Sequence, residues 1–411
     1  MDERTEHRLR RKAIRWLSLG LKPGEVLKRI GRSRTWLSKW RTRFGEEGTP
    51  GLHGQSRRSH THPHAWANAM KRLIVRTRKR LGTAPAGLIG ARAIRDELKQ
   101  LMPRRPLPSE ATIYRVLRQA GEVVSQSPCE ATYFPAPTDE VAGSLDAMDW
   151  TCRYLTGGPK VYAFHTLNLR TRAMYQTLAC TKALPTAQLH VLDAWQTRGI
   201  PRFLQLDNDA LFCGGYKVPR VFGQFTRLCL YVGVELIFLP FEEPKCNSQV
   251  EFLNGLWGGP AFWERHRFGS FGQVCRRSAH FREWYMQHYR PPALKGATPA
   301  QQQRTERRPR LTPCLRRQLP DTLPITAGRV HFIRHVPADG AIRILNELWH
   351  VPKALAGHYV WATVATHRRT LEIWFRRSPQ HQWKLLTHAY YHLTEPVRKL
   401  QPPFTTLFTM S

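Results

Sequence analysis

Between residues 144 and 257 the apolar pattern permits one order of elements. Three strand-like runs, Ser144–Arg153, Lys160–Leu169 and Arg172–Thr181, follow one another across tight turns at Gly157-Gly158 and Asn168–Thr171. A helix, Pro185–Arg198, crosses to a strand at Arg202–Leu206; residues 217–231 read as helical and Val234–Leu239 as a buried strand. A further helix carries Val250, Glu251, Leu253, Asn254 and Trp257. A three-strand meander followed by alternating helix and strand excludes an all-β sandwich and a helical bundle, and leaves a mixed α/β layer.

The 411 residues exceed one compact core, so flanking domains are expected. Charge locates them. The chain carries +34. Residues 1–120 hold 29 basic and 9 acidic side chains and 291–411 hold 18 and 6, whereas 121–290 hold 17 and 15. Basic flanks bind a phosphate backbone by releasing its counterions, and a carboxylate-rich centre suits a cation. The longest apolar run, Leu228–Phe241, is interrupted by Glu235 and too short to span a bilayer, and MDERTEHRLRRK has no signal-peptide core. A soluble, intracellular protein without membrane partner is the expectation. Eight scattered cysteines form no CxxC pair, so reduced thiols are expected rather than a zinc site, and His60, His62 and His64 read as a solvated linker.

Helical periodicity fills the first 48 residues. Leu9, Ala13, Trp16 and Leu17 line one helix ended by Gly20, and Val26, Leu27 and Ile30 a second ended by Gly31. Ser33 caps a third with a buried stripe of Trp36, Leu37, Trp40 and Phe44. This reads as a helix-turn-helix presenting Arg34, Thr35, Ser38 and Lys39 to DNA. A plain bundle with solvated arginines is the competing reading. After a linker at 49–64 a second such unit spans 65–121. There Met70–Leu81 forms a basic helix, Gly87 opens another with Ile94 and Leu98 inward, and Ser109 starts a third. In that third helix Ile113, Val116 and Leu117 face inward, and Thr112, Arg115 and Arg118 outward.

The stretches SRTWLSKWRTRFGEEGTPGL and PSEATIYRVLRQAG resemble the paired helix-turn-helix units of bacterial insertion-sequence transposases with a retroviral-integrase-like core. That resemblance implies an RNase H-like catalytic core at 144–302, behind a linker at 122–143. Asp149 then matches the family's first aspartate, Asp207-Asn208 its Asp-Asn pair, and Asn247-Ser248…Val250-Glu251…Asn254 its glutamate helix. WYMQHYRPPALKGATPAQQ matches the close of the family's core. In such a fold the first and fourth strands are neighbours, so Asp149, Asp207 and Glu251 converge and hold two Mg²⁺ ions, for which Mn²⁺ substitutes, with Asn208 and Asn247 in support. Asp146 rivals Asp149 for the first position. The chain departs from the family at Asp209, where glycine is usual and a positive-φ turn is expected, at Phe252, and by an insertion near 214–220.

Residues 303–327 read as a basic linker. Short strands at Arg329–Val336, Ala341–Leu345, Tyr359–Thr366, Thr370–Phe375 and Gln382–Thr387 suggest a small all-β SH3-like barrel over 328–395, before a tail at 396–411. Arg329, Arg334, Arg343, Arg368, Arg369, Arg376 and Arg377 interleave there with Trp349, Trp361 and Trp374, a pattern suited to phosphate. The fold expectation is thus multidomain: tandem helix-turn-helix, α/β RNase H-like core, β-barrel. The functional expectation is a DDE-type DNA transposase/integrase. It would bind terminal inverted repeats and target double-stranded DNA as a homo-oligomer at the bacterial nucleoid, cutting and joining strands without any small-molecule substrate. A catalytically impaired DNA-binding regulator derived from a transposase is the alternative, and a nuclease without transposition a third reading.

Overall fold

The computed structural model describes residues 3–54, 66–83, 88–123, 132–214, 218–259, 262–263 and 266–399. The histidine run, Gly87, part of the 214–220 insertion and the end of the tail lie outside them. Met1–Asn68 and Ala69–Ser411 form separate units.

In the first unit, α1 (Glu3–Ser18), α2 (Pro23–Ile30) and α3 (Arg34–Glu47) enclose Ala13, Val26 and Leu37. Gly31 ends α2 in the left-handed conformation (φ 67°), and Ser33 Oγ accepts the Trp36 N–H at 3.2 Å to start α3. Leu37 and Trp40 are buried, but Phe44 is 37% exposed, contrary to expectation. Leu52, from the turn after α3, packs instead beside Ile14 and Trp40. Arg34, Thr35, Ser38 and Lys39 are exposed.

In the second unit α4 (Asn68–Gly82), α5 (Ala91–Leu101) and α6 (Glu110–Gln119) pack on Ile74, Ile94, Leu98, Ile113, Val116 and Leu117. Ser109 caps α6, and Arg115 and Arg118 are exposed. Thr112 is half-buried and accepts from Arg115 at 3.1 Å.

After α7 (Pro137–Glu140), β1 (Leu145–Tyr154), β2 (Lys160–Asn168) and β3 (Met174–Ala179) form an antiparallel meander. Then α8 (Leu184–Arg198) leads to β4 (Phe203–Leu206), and α9 (Ala210–Cys213) and α10 (Gln224–Val232) to β5 (Glu235–Phe238). β4 lies parallel to both β1 and β5, so the strands run 3-2-1-4-5 and the first and fourth are neighbours. Every residue of β4 and β5 is buried, as parallel strands covered on both faces must be. Helices α11 (Ser248–Gly258), α12 (Phe271–Gln287) and α13 (Pro299–Gln303) follow.

Two expectations change beyond residue 302. The basic stretch 303–327, expected as a linker, packs onto the core. Pro309 accepts the Ile200 N–H at 2.7 Å, Leu311 is 1% exposed, and α14 (Pro313–Arg317) follows. Nor do the C-terminal strands stand apart as a closed barrel. After β6 (Ile325–Thr326), β7 (Arg329–His335) pairs parallel with β5, Phe332 opposite Phe238, covering an edge that would otherwise leave backbone groups unpaired. β8 (Ala341–Ile344) and β9 (Glu347–His350) make a separate hairpin. β10 (Tyr359–Ala365), β11 (Thr370–Phe375) and β12 (Lys384–Tyr390) extend the sheet to nine strands in the order 12-11-10-7-5-4-1-2-3, and β13 (Val397–Arg398) pairs with β6. Among the described residues no helix is long and apolar enough to cross a membrane.

Candidate active site

A strand sends successive side chains to opposite faces, so Asp146 and Asp149, three positions apart on β1, leave the sheet on opposite sides. Asp146 turns to the face covered by the 303–312 segment, where Arg308 donates two hydrogen bonds at 2.9 and 3.0 Å. Asp149 turns to the α11 face. Its Oδ2 accepts from Asn254 Nδ2 at 2.8 Å and its Oδ1 from the Trp150 N–H at 2.7 Å.

Asp207 lies one residue past the end of β4, beside β1, and Glu251 lies in the first turn of α11. Val250, Leu253 and Trp257 are fully buried and fix the rotation of that helix. Glu251 and Asn254, one turn apart, therefore share a face. The three carboxylates sense one another. Burial and then the Asp207 charge, with Glu251 adding to them, push Asp149 up to about 7 against the Trp150 N–H and the Asn254 amide. Burial raises Asp207 as well and the Asp209 charge adds to it, with the Asp209 N–H and Lys182 opposing. Glu251 is raised by burial and then by Asp207. Asp146 has no part in this cluster.

Among the described residues no three His, Cys, Asp or Glu side chains are drawn together tightly enough to hold an ion as they stand. The chemistry of the donors nevertheless fits a hard divalent cation. Asp149, Asp207 and Glu251 offer only oxygen, and their mutual repulsion is what such a cation relieves.

Asp209 does not sit in a positive-φ turn. Its φ is −59°, and it caps α9 by accepting the Leu211 N–H at 2.8 Å, while the left-handed step falls at Gly214 (φ 92°). Its Oδ2 accepts from Lys182 Nζ at 2.6 Å and Trp150 Nε1 at 3.2 Å. Although burial opposes it, Lys182 leads the contacts that hold this carboxyl below its usual range. Lys182 also lies 3.7 Å above the Trp150 ring. Asp209's charge is thus matched by a lysine that sequence reading missed.

Asn208 donates to the Leu239 carbonyl at 2.5 Å and accepts from Arg334 Nη2 at 2.9 Å. Arg334, 4% exposed on β7, also donates to the Leu239 and Ile333 carbonyls. The C-terminal strands thereby hold the loop that carries Asp207. Asn247 accepts from Gln205 Nε2 at 2.9 Å, tying the start of α11 to β4 rather than touching a carboxylate. Phe252 is 46% exposed, its ring 6.4 Å from Tyr289. Asn254 stood in the sequence motif, one turn after Glu251. His165, Gln176, Lys182 and Arg334 left no such signal, since each acts from an element remote in sequence. An open cavity of 1650 Å³ lies elsewhere, at the starts of β4, β5 and β7, among Arg202, Glu235, Arg329 and Arg368.

No family model and no curated protein matches this sequence. Among solved structures the chain is similar to the simian T-cell lymphotropic virus intasome in complex with the PP2A regulatory subunit B56 gamma. Identity there is 13%, with 76% of this chain and 100% of that chain covered and a TM-score of 0.35. It is also similar to the HTLV-2 integrase catalytic core domain in complex with magnesium, trimeric form (15% identity, 38% and 93% covered, TM-score 0.28). A third is the catalytic core domain of BIV integrase (16% identity, 38% and 91% covered, TM-score 0.28). At such scores these likenesses establish neither family nor activity for this chain.

Proposed function

We propose that this chain is a DNA transposase/integrase, a polynucleotidyl transferase of the DDE type built on an RNase H-like core. The observation that carries the reading is the placement of three carboxylates on neighbouring elements: Asp149 on β1, Asp207 just past the end of the parallel strand β4, and Glu251 in the first turn of α11, one turn before the Asn254 that bonds Asp149. These three would hold two Mg²⁺ ions. When bound, the metal activates the attacking oxygen and offsets charge on the leaving one. Asn254 orients Asp149, and Asn208, gripped by Arg334, steadies the Asp207 loop. Arg34, Thr35, Ser38 and Lys39 on α3, with Thr112, Arg115 and Arg118 on α6, would contact double-stranded DNA at the element's terminal repeats. The net charge of +34 favours such binding. Synapsis of two ends calls for a homo-oligomer on DNA at the bacterial nucleoid.

The regulator alternative drew on Asp209 and Phe252. Asp209 is engaged by Lys182 and Trp150, and Phe252 points outward, so neither departure removes an oxygen from the three-carboxylate set. The test incubates the full chain with duplexes carrying the ends of its own element in Mg²⁺. Nicking that leaves a 3′-OH, followed by joining to target DNA, is the expected result. Binding of those ends with no cleavage or joining in Mg²⁺ or Mn²⁺ would favour the regulator.

A further inference from the structure

Behind Asp149 and its partner Asn254 runs a line of polar side chains, buried except at its outer end, that the chemistry above does not use. It starts at Arg282 on α12, whose Nη1 lies 3.3 Å from Gln176 Oε1 on β3. Gln176 Nε2 lies 2.7 Å from His165 Nε2 on β2. His165 Nδ1 lies 2.6 Å from Asn254 Oδ1 on α11, and Asn254 Nδ2 meets Asp149 Oδ2 at 2.8 Å. Five elements each contribute one residue. His165 is fully buried, Gln176 is 5% exposed and Asn254 9% exposed.

The direction of every bond follows from the two ends. A guanidinium only donates and a carboxylate only accepts. Gln176 must therefore turn its oxygen to Arg282 and its NH₂ to His165, which makes His165 Nε2 an acceptor. The remaining proton of the neutral ring then sits on Nδ1 and is donated to Asn254 Oδ1. That leaves the Asn254 NH₂ facing Asp149. The ring is neutral because burial pushes His165 down to about 4, against the Asn254 bond, with the Arg282 charge acting in the same direction as burial. Each link has one partner on each side, and reversing any amide sets oxygen against oxygen or N–H against N–H.

We propose that His165, in its Nδ1–H tautomer, is a positioning residue that locks the Asn254 amide with its NH₂ toward Asp149, and that Gln176, the cross-strand neighbour of His165 on the same face of the sheet, and Arg282 select that tautomer from the other end of the line. Without the Nδ1–H donor the Asn254 amide is free to rotate and present its oxygen to Asp149, adding repulsion where a cation ligand is wanted. The inference rests on the metal-holding role given above to Asp149. It goes beyond that role in assigning the lock to three residues outside the carboxylate set.

Two near-isosteric replacements separate a hydrogen-bond role from a packing role. An asparagine at 165 sets its amide near the place of Nδ1 and keeps the donor to Asn254. A glutamine sets its amide near the place of Nε2 and loses that donor. Mn²⁺ binding to the full chain, free of DNA, is titrated by electron paramagnetic resonance, with the near-UV circular dichroism and urea unfolding of each variant as the check on folding. His165→Asn should stay within about threefold of wild type, and His165→Gln should weaken Mn²⁺ about 10- to 100-fold, the usual cost of removing a group that orients a ligand. Equal affinities in the two variants would overturn the proposal. A wild-type chain that binds no Mn²⁺ would instead overturn the proposed function. The tautomer is also readable without substitution. Nitrogen-15 shifts of wild-type His165 should report a protonated Nδ1 and a bare Nε2, and the opposite pattern sinks the lock even if neither variant folds.

Discussion

Arg308 grips Asp146 through two hydrogen bonds of 2.9 and 3.0 Å, in a pair whose side chains are only 5% and 6% exposed. A residue from a stretch with the composition of a linker thereby closes over the first strand of the sheet. Arg308 also donates to Glu306 at 3.2 Å, so removing the arginine leaves the buried Asp146 and, beside it, Glu306 without this partner, at about 3–5 kcal/mol. Arg308→Met should lower unfolding stability by that order in urea titration. Adding Asp146→Leu should recover much of the loss, whereas additive losses in the double variant would mean that packing and not charge is at stake.

Removing the charge of one coupled carboxylate should stop chemistry without releasing DNA. Asp149→Asn, Asp207→Asn and Glu251→Gln are each expected to slow end cleavage and joining by at least about a thousandfold, equivalent to about 4 kcal/mol of transition-state stabilisation. Gel-shift affinity for the same ends should stay unchanged. Wild-type cleavage in all three variants rejects the site.

Asp209 has the contacts of a helix cap with a lysine partner. Asparagine caps nearly as well as aspartate, and a partly exposed ion pair contributes about 0–1 kcal/mol. Asp209→Asn should therefore cost less than about 1 kcal/mol and leave metal-dependent cleavage near wild type, while Asp209→Ala loses the cap as well and should cost about 1 kcal/mol more. A cleavage defect in Asp209→Asn as deep as that of Asp207→Asn would make Asp209 a fourth member of the site.

Glu235 at the start of β5 is held by Arg202, Arg329 and His331. Burial opposes its charge, yet the His331 and Arg329 hydrogen bonds outweigh burial and hold the carboxyl at about 2. Trp361 Nε1 lies 3.2 Å from His331 Nδ1, which leaves Nε2–H to donate to Glu235. A carboxyl held below its unfolded value stabilises the fold above about pH 4.5, and that contribution disappears as pH falls toward 2. It amounts to roughly 3 kcal/mol. Urea titrations should show the gap between wild type and Glu235→Gln closing over this window. A gap that does not change with pH argues against the assignment.

Pairing of β7 with β5 makes the C-terminal strands part of the sheet that bears the site. A chain ended at residue 302 should not yield a stable core, because β5 then presents an open edge and Arg334 no longer holds Asn208. Soluble expression and a dispersed NMR spectrum of residues 132–302 would contradict this.

Much of this was legible in the sequence. Ser33 and Ser109 announced their helices because a cap is a local hydrogen bond. The order of strands and helices through 144–257 followed from apolar period, whereas the neighbouring of β1 and β4 was implied only by the family resemblance and is seen in the parallel pairing of the two strands. The choice between Asp146 and Asp149 stayed open in the sequence, where both lie on one strand-like run. Tertiary structure alone decided that, by setting Arg308 against one and Asn254 against the other. It also decided the direction of the line from Arg282 to Asp149, the lysine on Asp209, and the merging of β7 with the sheet. Each depends on groups distant in sequence whose polar atoms, once buried, must find partners wherever the packed chain supplies them. Local propensity carries no record of that choice, since an arginine in a basic stretch and an arginine closing a buried pair are the same residue until the fold removes water from one of them.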